Sequence, residues 1–251
     1  TYTNILQMAD RLVFLRVLLK EVANKYGMFI TFMPKPTIGD WRSGAHINFS
    51  MTSKTDNKNI FEGKDGKFSD LAYHAVGGLI KHGTSITAVA CSTVNSYNGL
   101  VPIVGGFEGG VYTWAPTTMA YGDNNRSCMI RLPQNRFCIE NRAADMCMNP
   151  YLSLALTTAA ALDGIKNKID PGKPLNLNLY TLSPEEMEAS NIKSLPRNLL
   201  EAIEALNEDD FAREVLGDSM LLQFFSYKKD EWDRYHQAVT DWEVQEFLRL
   251  Y

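Results

Sequence analysis

The sequence predicts an α+β protein, and three observations support this class. Residues 46–51 (HINFSM) alternate between polar and apolar side chains, which is the pattern of a strand with one buried face. Residues 129–132 and 137–142 are further short strand candidates, joined by the turn Pro133-Gln134-Asn135. From Tyr151 onward the apolar residues recur at helical spacing instead. Strands in the first half followed by helices in the second half are typical of α+β domains.

The other elements of the first half follow from short local patterns. Apolar residues between positions 15 and 22 recur at helical spacing, and Gly27 can end that helix. Residues 28–33 form a short apolar run before Pro34, which predicts a buried strand that ends at a proline turn. Residues 53–67 are polar and charged, and they predict an exposed hairpin or loop.

Helix signals mark the remaining elements. Residues Asp70–Lys81 carry apolar side chains on one side and predict a helix. Residues 95–123 are rich in glycine and predict a long loop. Asn149-Pro150 begins the next helix, and Ser183-Pro184-Glu185-Glu186 is a capping box with proline at the first helical position. A C-terminal helix is predicted to have one apolar face formed by Trp232, Tyr235, Val239 and Trp242.

Composition excludes several classes of function. The 251 residues carry a formal net charge of −4, and no basic stripe interrupts this balance, so the chain is a poor candidate for binding nucleic acid. The four cysteines form no CxxC pair, which argues against zinc or disulfide chemistry and fits a reducing cytoplasm. No apolar run reaches the roughly 20 residues that a bilayer span needs, and no signal peptide is present.

The strand at 46–51 places three polar side chains on one face. His46, Asn48 and Ser50 point the same way because side chains alternate along a strand. This face would present an imidazole, an amide and a hydroxyl to a ligand. A solvated polar face is the alternative interpretation.

Four arginines and one carboxylate lie on the two strand candidates that follow. Arg126, Arg131, Arg136 and Arg142 flank Glu140. Converging guanidinium groups suit a polyphosphate, and a carboxylate among them suits a metal ion that bridges the phosphates. A surface ladder of salt bridges is the alternative.

The glycine-rich stretch from Asn95 to Gly110 contains no P-loop lysine motif. A bound ATP would therefore be held by side-chain cations and metal. The stretch could close over a site as a lid, or it could be an ordinary surface loop.

These clusters occur in the order found in glutamine synthetases, and the sequence resembles that family. The resemblance is carried by Thr31-Phe32-Met33-Pro34-Lys35-Pro36, Ser43-Gly44-Ala45-His46, Asn95-Ser96-Tyr97, Asn125-Arg126-Ser127, Ile130-Arg131, Ile139-Glu140-x-Arg142-x-x-Asp145 and Asn149-Pro150-Tyr151-Leu152. It is strong over residues 10 to about 165 and looser over the tail. Residues 113–116 and 122–126 are most similar to the γ-glutamylmethylamide synthetase and type III-like branch.

The resemblance implies a fold and a reaction. It implies part of a glutamine synthetase-type catalytic domain, with an antiparallel sheet and packed helices over residues 1–165 and a helical region over 166–251. In the reaction, ATP phosphorylates the γ-carboxylate of glutamate, and ammonia or an alkylamine attacks the γ-glutamyl phosphate. Mg²⁺ or Mn²⁺ is the implied cofactor, and a ring-shaped, dodecamer-like homo-oligomer is the implied assembly.

The resemblance also implies roles for particular residues. His46 and Glu140 match the pair that holds a metal ion on the ATP side. Three arginines match phosphate-binding residues, and the first of them is also expected to act in catalysis: Arg126, Arg131 and Arg142.

Further roles concern the nucleotide and the acid. Asn48 and Ser50 would lie against the nucleotide, although the family usually has His where Asn48 stands. Gly44 would lie beside glutamate. Glu108 would be a catalytic carboxylate on a flap that closes over glutamate and helps to deprotonate the amine.

The sequence departs from the family on the glutamate side. Gly99 replaces the arginine that grips the α-carboxylate of the substrate, and Asn98 replaces the preceding lysine. Cys138 replaces an arginine just before the metal-binding glutamate, although Arg136 is near. These departures leave two alternatives open, a non-catalytic family member and a ligase for another acid or amine.

The resemblance further suggests that part of the family's enzyme is missing from this sequence. The chain starts at Thr1, and no counterpart is found for the N-terminal β-grasp domain or for the first part of the catalytic domain, which supplies the remaining metal carboxylates. We therefore expect the 251-residue chain alone to be inactive.

Overall fold

The computed structural model describes residues 2–37, 39–104 and 111–251 of the chain. Within these residues the helices are α1 (Ile5–Lys25), α2 (Asp70–Lys81), α3 (Gly83–Ala90), α4 (Val94–Asn98), α5 (Pro150–Asn167), α6 (Pro184–Ala189), α7 (Leu199–Glu208), α8 (Asp210–Leu216), α9 (Asp218–His236) and α10 (Asp241–Phe247). The strands are β1 (Ile47–Phe49), β2 (Ile103–Val104), β3 (Val111–Tyr112), β4 (Thr118–Asp123), β5 (Cys128–Leu132), β6 (Ile139–Asn141) and β7 (Lys193–Ser194).

A five-stranded mixed sheet forms the centre of the fold, in the order β1-β6-β5-β4-β7. The α+β class is confirmed, but the sheet is not antiparallel throughout, because β4 and β5 pair in parallel. Only residues 124–127 connect these two strands, and Asn124 within that connection has a left-handed φ of 57°. Parallel neighbours usually need a crossover of a dozen residues or more, so this pair has no ordinary sequence signal. β7 pairs with β4, so residues 166–251 add a strand to the sheet.

Helices α2, α3, α5 and α7 enclose the main core with the sheet. Helix α2 has the predicted bounds, because the Ser69 hydroxyl accepts a hydrogen bond from the Ala72 amide and caps it. Helices α2 and α5 approach closely where Gly78 meets Gly164, and a Cβ on Gly78 would lie only 2.7 Å from the Gly164 nitrogen. The largest fully buried side chains belong to Phe61, Leu79, Ile86, Met129, Ile130, Leu132, Ile139, Leu156, Leu199, Ile203, Leu206 and Leu221.

Three sequence-based predictions of secondary structure are wrong. Residues 28–33 form no strand, and Phe29 is 92 % exposed, so the apolar run is not buried in this chain. The predicted loop at 95–123 contains most of α4 and all of β4. The predicted C-terminal helix is two helices, α9 and α10, separated at residues 237–240, where the Thr240 hydroxyl begins a new capping box.

Helix α1 leaves large apolar side chains uncovered. Its small residues Ala9 and Ala23 are buried, whereas Leu6, Phe14 and Val17 are each more than half exposed. Across the described ranges, no helix combines the length and apolar character needed to cross a bilayer.

Candidate active site

Strands β1 and β6 place the predicted polar residues around one cavity. Asn48 on β1 is paired with Glu140 on the antiparallel β6, and an isolated bridge joins Gly44 to Asp145. The cavity has a volume of about 550 Å³. Its walls are formed by Trp41, Arg42, Gly44, His46, Asn48, Thr113, Trp114, Ala115, Pro116, Arg126, Arg131, Arg136, Glu140 and Arg142.

Glu140 is the electrostatic centre of this cavity, and only 3 % of it is exposed. Arg131 Nη1 donates to Oε2 and Arg142 Nη1 donates to Oε1, each at 2.7 Å. Burial alone would raise the pKa of the Glu140 carboxyl, but hydrogen bonds from His46 and Arg142 and the charge of Arg131 outweigh burial and lower the pKa to about 2. Glu140 is therefore a carboxylate at neutral pH.

Arg142 joins this centre to the segment before β4. It is buried, which lowers the pKa of its guanidinium. Its Nε donates to the Arg126 carbonyl oxygen at 3.1 Å, and its Nη2 donates to the Trp114 carbonyl oxygen at 3.0 Å. Trp114 has a φ of 56°, which is rare for a bulky residue and concentrates at functional sites. Sequence reasoning missed Trp114 as a site residue, since a left-handed tryptophan has no local sequence signal.

His46 lies beside Glu140 with one ring nitrogen turned away from it. Nδ1 is 3.3 Å from Glu140 Oε1 and 3.4 Å from Arg142 Nη1. A Cβ on Gly44 would lie 3.3 Å from Nε2, so this glycine leaves open the space beside that nitrogen. A histidine whose second nitrogen bonds a carboxylate is the usual form of a metal-binding histidine. Nε2 of His46 is therefore open to a divalent metal ion, and Glu140 is the carboxylate that orients its imidazole.

The described residues supply no larger ligand set. Across residues 2–37, 39–104 and 111–251, no group of three His, Cys, Asp or Glu side chains could hold a metal ion. Glu108, the predicted flap carboxylate, lies outside the described residues.

The remaining predicted phosphate and nucleotide residues differ in their surroundings. Arg126 is exposed at the cavity wall and makes no ion pair with any described residue, whereas Arg131 also donates from Nε to Asn124 Oδ1 at 3.1 Å. Asn48 lines the cavity. Ser50 is exposed one residue beyond β1 and is not a lining residue.

Gly99, at the C-terminal end of α4, meets the stem of Arg42. A Cβ at position 99 would lie 2.7 Å from Arg42 Cβ and 3.2 Å from its Cδ. The Arg42 guanidinium is anchored by Nη2, which donates to the Ala144 carbonyl oxygen at 2.6 Å. A side chain at position 99 and the arginine at 42 therefore compete for one space. Sequence reasoning missed Arg42, because its packing against Gly99 joins positions 57 residues apart.

Comparisons with known proteins give concordant results. A family model described as glutamine synthetase, catalytic domain, matches residues 1–247. A glutamate–methylamine ligase of Methyloversatilis universalis is 41 % identical over 100 % of this chain and 56 % of its own length. A glutamine synthetase of Methanosarcina mazei is 40 % identical over 99 % of this chain and 54 % of its own length. The chain thus spans little more than half of each relative.

Solved structures agree with the sequence comparisons. A structure described as a GmaS/ADP complex matches with a TM-score of 0.87 and 38 % identity, covering 99 % of this chain and 56 % of that one. A structure described as apo GmaS without ligand matches with a TM-score of 0.84 and 36 % identity, covering 99 % of this chain and 55 % of that one.

Proposed function

Because the chain belongs to the glutamine synthetase family, we propose that its protein is an ATP-dependent ligase that forms a γ-glutamyl amide from glutamate and either ammonia or an alkylamine. The observation that carries this proposal is the buried Glu140 carboxylate, which the imidazole of His46 and the guanidinium groups of Arg131 and Arg142 surround at one end of an open cavity. This arrangement suits a metal-bound polyphosphate.

In this proposal His46 and Glu140 hold a Mg²⁺ or Mn²⁺ ion, which supplies positive charge for the phosphoryl oxygens when it is bound. Nδ1 of His46 can donate to Glu140, which leaves the Nε2 lone pair directed to the space beside Gly44. Both carboxylate oxygens of Glu140 remain in ionic contact with arginine, so Glu140 keeps its negative charge at neutral pH.

The arginines act on the nucleotide side. Arg126 has no anionic partner among the residues that the structure describes, so its guanidinium is available to a transferring phosphoryl group. Arg131 and Arg142 hold Glu140 and contribute positive potential to the same wall. Asn48, which lines the cavity, and Ser50 are both proposed to face the nucleotide. For Ser50 the proposal is based on the resemblance alone.

The acid and the amine are proposed to bind in the same cavity. Gly44 lies beside the space proposed for glutamate. In the second step the nitrogen of the amine attacks the γ-carbonyl carbon, phosphate leaves, and the nitrogen loses a proton. Glu108 is proposed as the acceptor of that proton on the resemblance alone. One relative is named a glutamate–methylamine ligase and the other a glutamine synthetase, so methylamine and ammonia are both candidates.

The wider setting is proposed from the resemblance to the family. We propose that the complete protein is a cytoplasmic, ring-shaped homo-oligomer that binds neither nucleic acid nor membrane. Residues 1–165 and 166–251 would be the active-site part and the helical part of one incomplete catalytic domain. The 251-residue chain alone supplies only His46 and Glu140 toward the metal from its described residues, so we expect it to be inactive.

A second candidate function has its own support. Position 99 lacks the arginine that the family uses to grip the α-carboxylate, and the stem of Arg42 lies where a side chain at this position would start. A family member that binds nucleotide without ligating glutamate, or one that ligates another acid, would accommodate this change.

One assay tests these candidates. The complete protein is supplied with Mg²⁺-ATP, glutamate and either ammonia or methylamine, and phosphate release is measured. Release that depends on both the acid and the amine supports the ligase. A protein that binds ADP but shows no amine-dependent phosphate release, whether glutamate or another amino acid is supplied, would instead support the non-catalytic candidate.

A further inference from the structure

Helix α9, in the C-terminal region, contributes one carboxylate to the start of α4. Glu231 Oε1 accepts a hydrogen bond from the Val94 amide at 3.0 Å, and its Oε2 accepts one from Lys228 Nζ at 2.8 Å. Val94 is the first residue of α4, so its amide has no partner within that helix. Lys228 is buried and Glu231 is mostly covered, so this contact lies inside the protein. Glu231 therefore holds the start of α4 in place.

Helix α4 in turn contacts the segment that precedes the cavity. The Asn95 side chain bonds the backbone of Lys35 twice. Its Oδ1 accepts from the Lys35 amide at 2.7 Å, and its Nδ2 donates to the carbonyl oxygen of the same residue at 3.0 Å. At the C-terminal end of α4, Gly99 packs against the stem of Arg42. This short helix thus supports the chain at Lys35 and again at Arg42.

The supported segment leads directly into the candidate metal site. The Ser43 amide donates to the Pro34 carbonyl oxygen at 2.7 Å, so Ser43 is tied to the backbone beside Lys35. Gly44 and His46 follow Ser43 by one and three residues, and both line the cavity. A displacement of α4 would therefore pass through a short length of backbone to the imidazole of His46.

We infer that Glu231 is a positioning residue for the candidate metal site, because it fixes α4 and, through Asn95, the backbone that leads to His46. This role rests on the proposed function, and it extends the site to a region whose described residues do not line the cavity. A metal ligand is held precisely only when the residues behind it are themselves fixed by packing and hydrogen bonds.

Variants of the complete protein isolate this chain of contacts. E231A removes the acceptor of the Val94 amide, whereas E231Q keeps a carbonyl oxygen that can accept the same hydrogen bond. N95A breaks the next contact of α4. D233A is the matched control, because Asp233 lies on the same helix and its ion pair with Lys229 is more than a third exposed on both sides. Should E231A fail to fold, E231D replaces it with the same expectations, because its shorter side chain draws the carboxylate away from Val94.

Two measurements are made at a temperature at which every variant is folded. Hydrogen exchange followed by mass spectrometry should be faster in E231A and N95A than in D233A, in a peptide that contains the Ser43 and Ala45 amides. The dissociation constant for Mn²⁺ in the presence of ADP should rise about tenfold in E231A and N95A, because a small displacement of a binding group is costly. E231Q should recover most of this affinity. The double variant E231A/N95A should be no weaker than either single variant, because both substitutions break one chain of contacts.

The outcomes separate the role of Glu231 from the proposed function. A parent protein that binds neither Mn²⁺ nor ADP would overturn the proposed function and this role with it. If the parent binds both and E231A matches D233A, Glu231 is not a positioning residue and the proposed function is unaffected. Faster exchange in E231A with parental Mn²⁺ affinity would leave Glu231 a structural role only. Additive losses in E231A/N95A, or no recovery in E231Q, would refute the route from Val94 through Asn95.

Discussion

Two parts of the candidate site are held together by different forces. In the first part Glu140 is buried, and each of its oxygens accepts a 2.7 Å hydrogen bond from Arg131 or Arg142, so charge fixes the geometry. In the second part the stem of Arg42 packs against Gly99, and the buried Arg42 Nη1 has no hydrogen-bond partner among the described residues. We expect the first part to be sensitive to loss of charge and the second to gain of volume. Five predictions test this difference, beginning with the largest expected effect on the free energy of unfolding.

Glu140→Ala should have the largest effect. It leaves Arg131 and Arg142 as buried charges without their partner, which typically reduces the free energy of unfolding by about 3–5 kcal/mol. Urea denaturation of the parent and the variant measures this change. Glu201→Ala is the control, because its partner Arg197 is exposed, and such pairs contribute about 1 kcal/mol or less. Equal effects of the two substitutions would contradict the account of Glu140.

Acid should remove the same stabilisation without any substitution. The pKa of Glu140 is lowered from 4.5 to about 2, so the folded state favours the carboxylate. This contribution, on the order of 3 kcal/mol, is fully present above about pH 4.5 and is lost as the pH falls toward 2. Denaturation of the parent and of Glu140→Gln across this range measures it. The difference in free energy of unfolding between the parent and Glu140→Gln should shrink as the pH falls. A constant difference would show that the Glu140 carboxylate is not the source of this pH dependence.

Gly99→Ala should lower the free energy of unfolding by about 1–3 kcal/mol, because the new Cβ would lie 2.7 Å from Arg42 Cβ. The double variant Arg42→Gly/Gly99→Ala should be less destabilised than the sum of the single variants. A double-mutant cycle in the complete protein measures this coupling. Strict additivity would show that the two positions do not compete for space.

Gly99→Arg extends the same test to function. In the parent background we expect a larger loss of stability than for Gly99→Ala, since a long side chain must also displace Arg42. With Arg42→Gly present, the arginine at 99 has room, and the KM for glutamate should fall relative to the parent. An unchanged KM in a stable double variant would show that position 99 does not set affinity for the acid.

His46→Ala should have the smallest effect on stability, below about 1 kcal/mol, because 38 % of its side chain is exposed and Glu140 keeps both arginines. It should instead weaken binding of Mn²⁺ in the presence of ADP by tenfold or more. Electron paramagnetic resonance of free Mn²⁺ measures this loss. Retention of parental Mn²⁺ affinity would remove His46 from the metal site.

Local sequence signals predicted the capped helices well. Helix α5 begins at Pro150 because the Asn149 side chain accepts from the amides of Tyr151 and Leu152, and α6 has the capping box expected from Ser183 and Glu186. Such caps involve residues within four positions of each other. They can therefore be recognised without knowledge of the fold.

The resemblance to the family singled out His46 and Glu140 together, and their role in metal binding stays a prediction. His46 immediately precedes β1, Glu140 lies on the paired strand β6, and the two side chains lie 3.3 Å apart. The parallel pairing of β4, the left-handed Trp114 and the packing of Arg42 on Gly99 were not predictable. Each of these depends on contacts or backbone angles that neighbouring residues do not determine.

The exposed apolar surface of α1 affects how the chain should unfold. Leu6, Phe14 and Val17 are already in contact with water in the folded chain, so unfolding exposes little additional apolar surface there. Both the denaturant m-value and the heat-capacity increment scale with newly exposed surface. Each should therefore be smaller than the length of the chain alone suggests, and each should increase when a protein surface covers this helix.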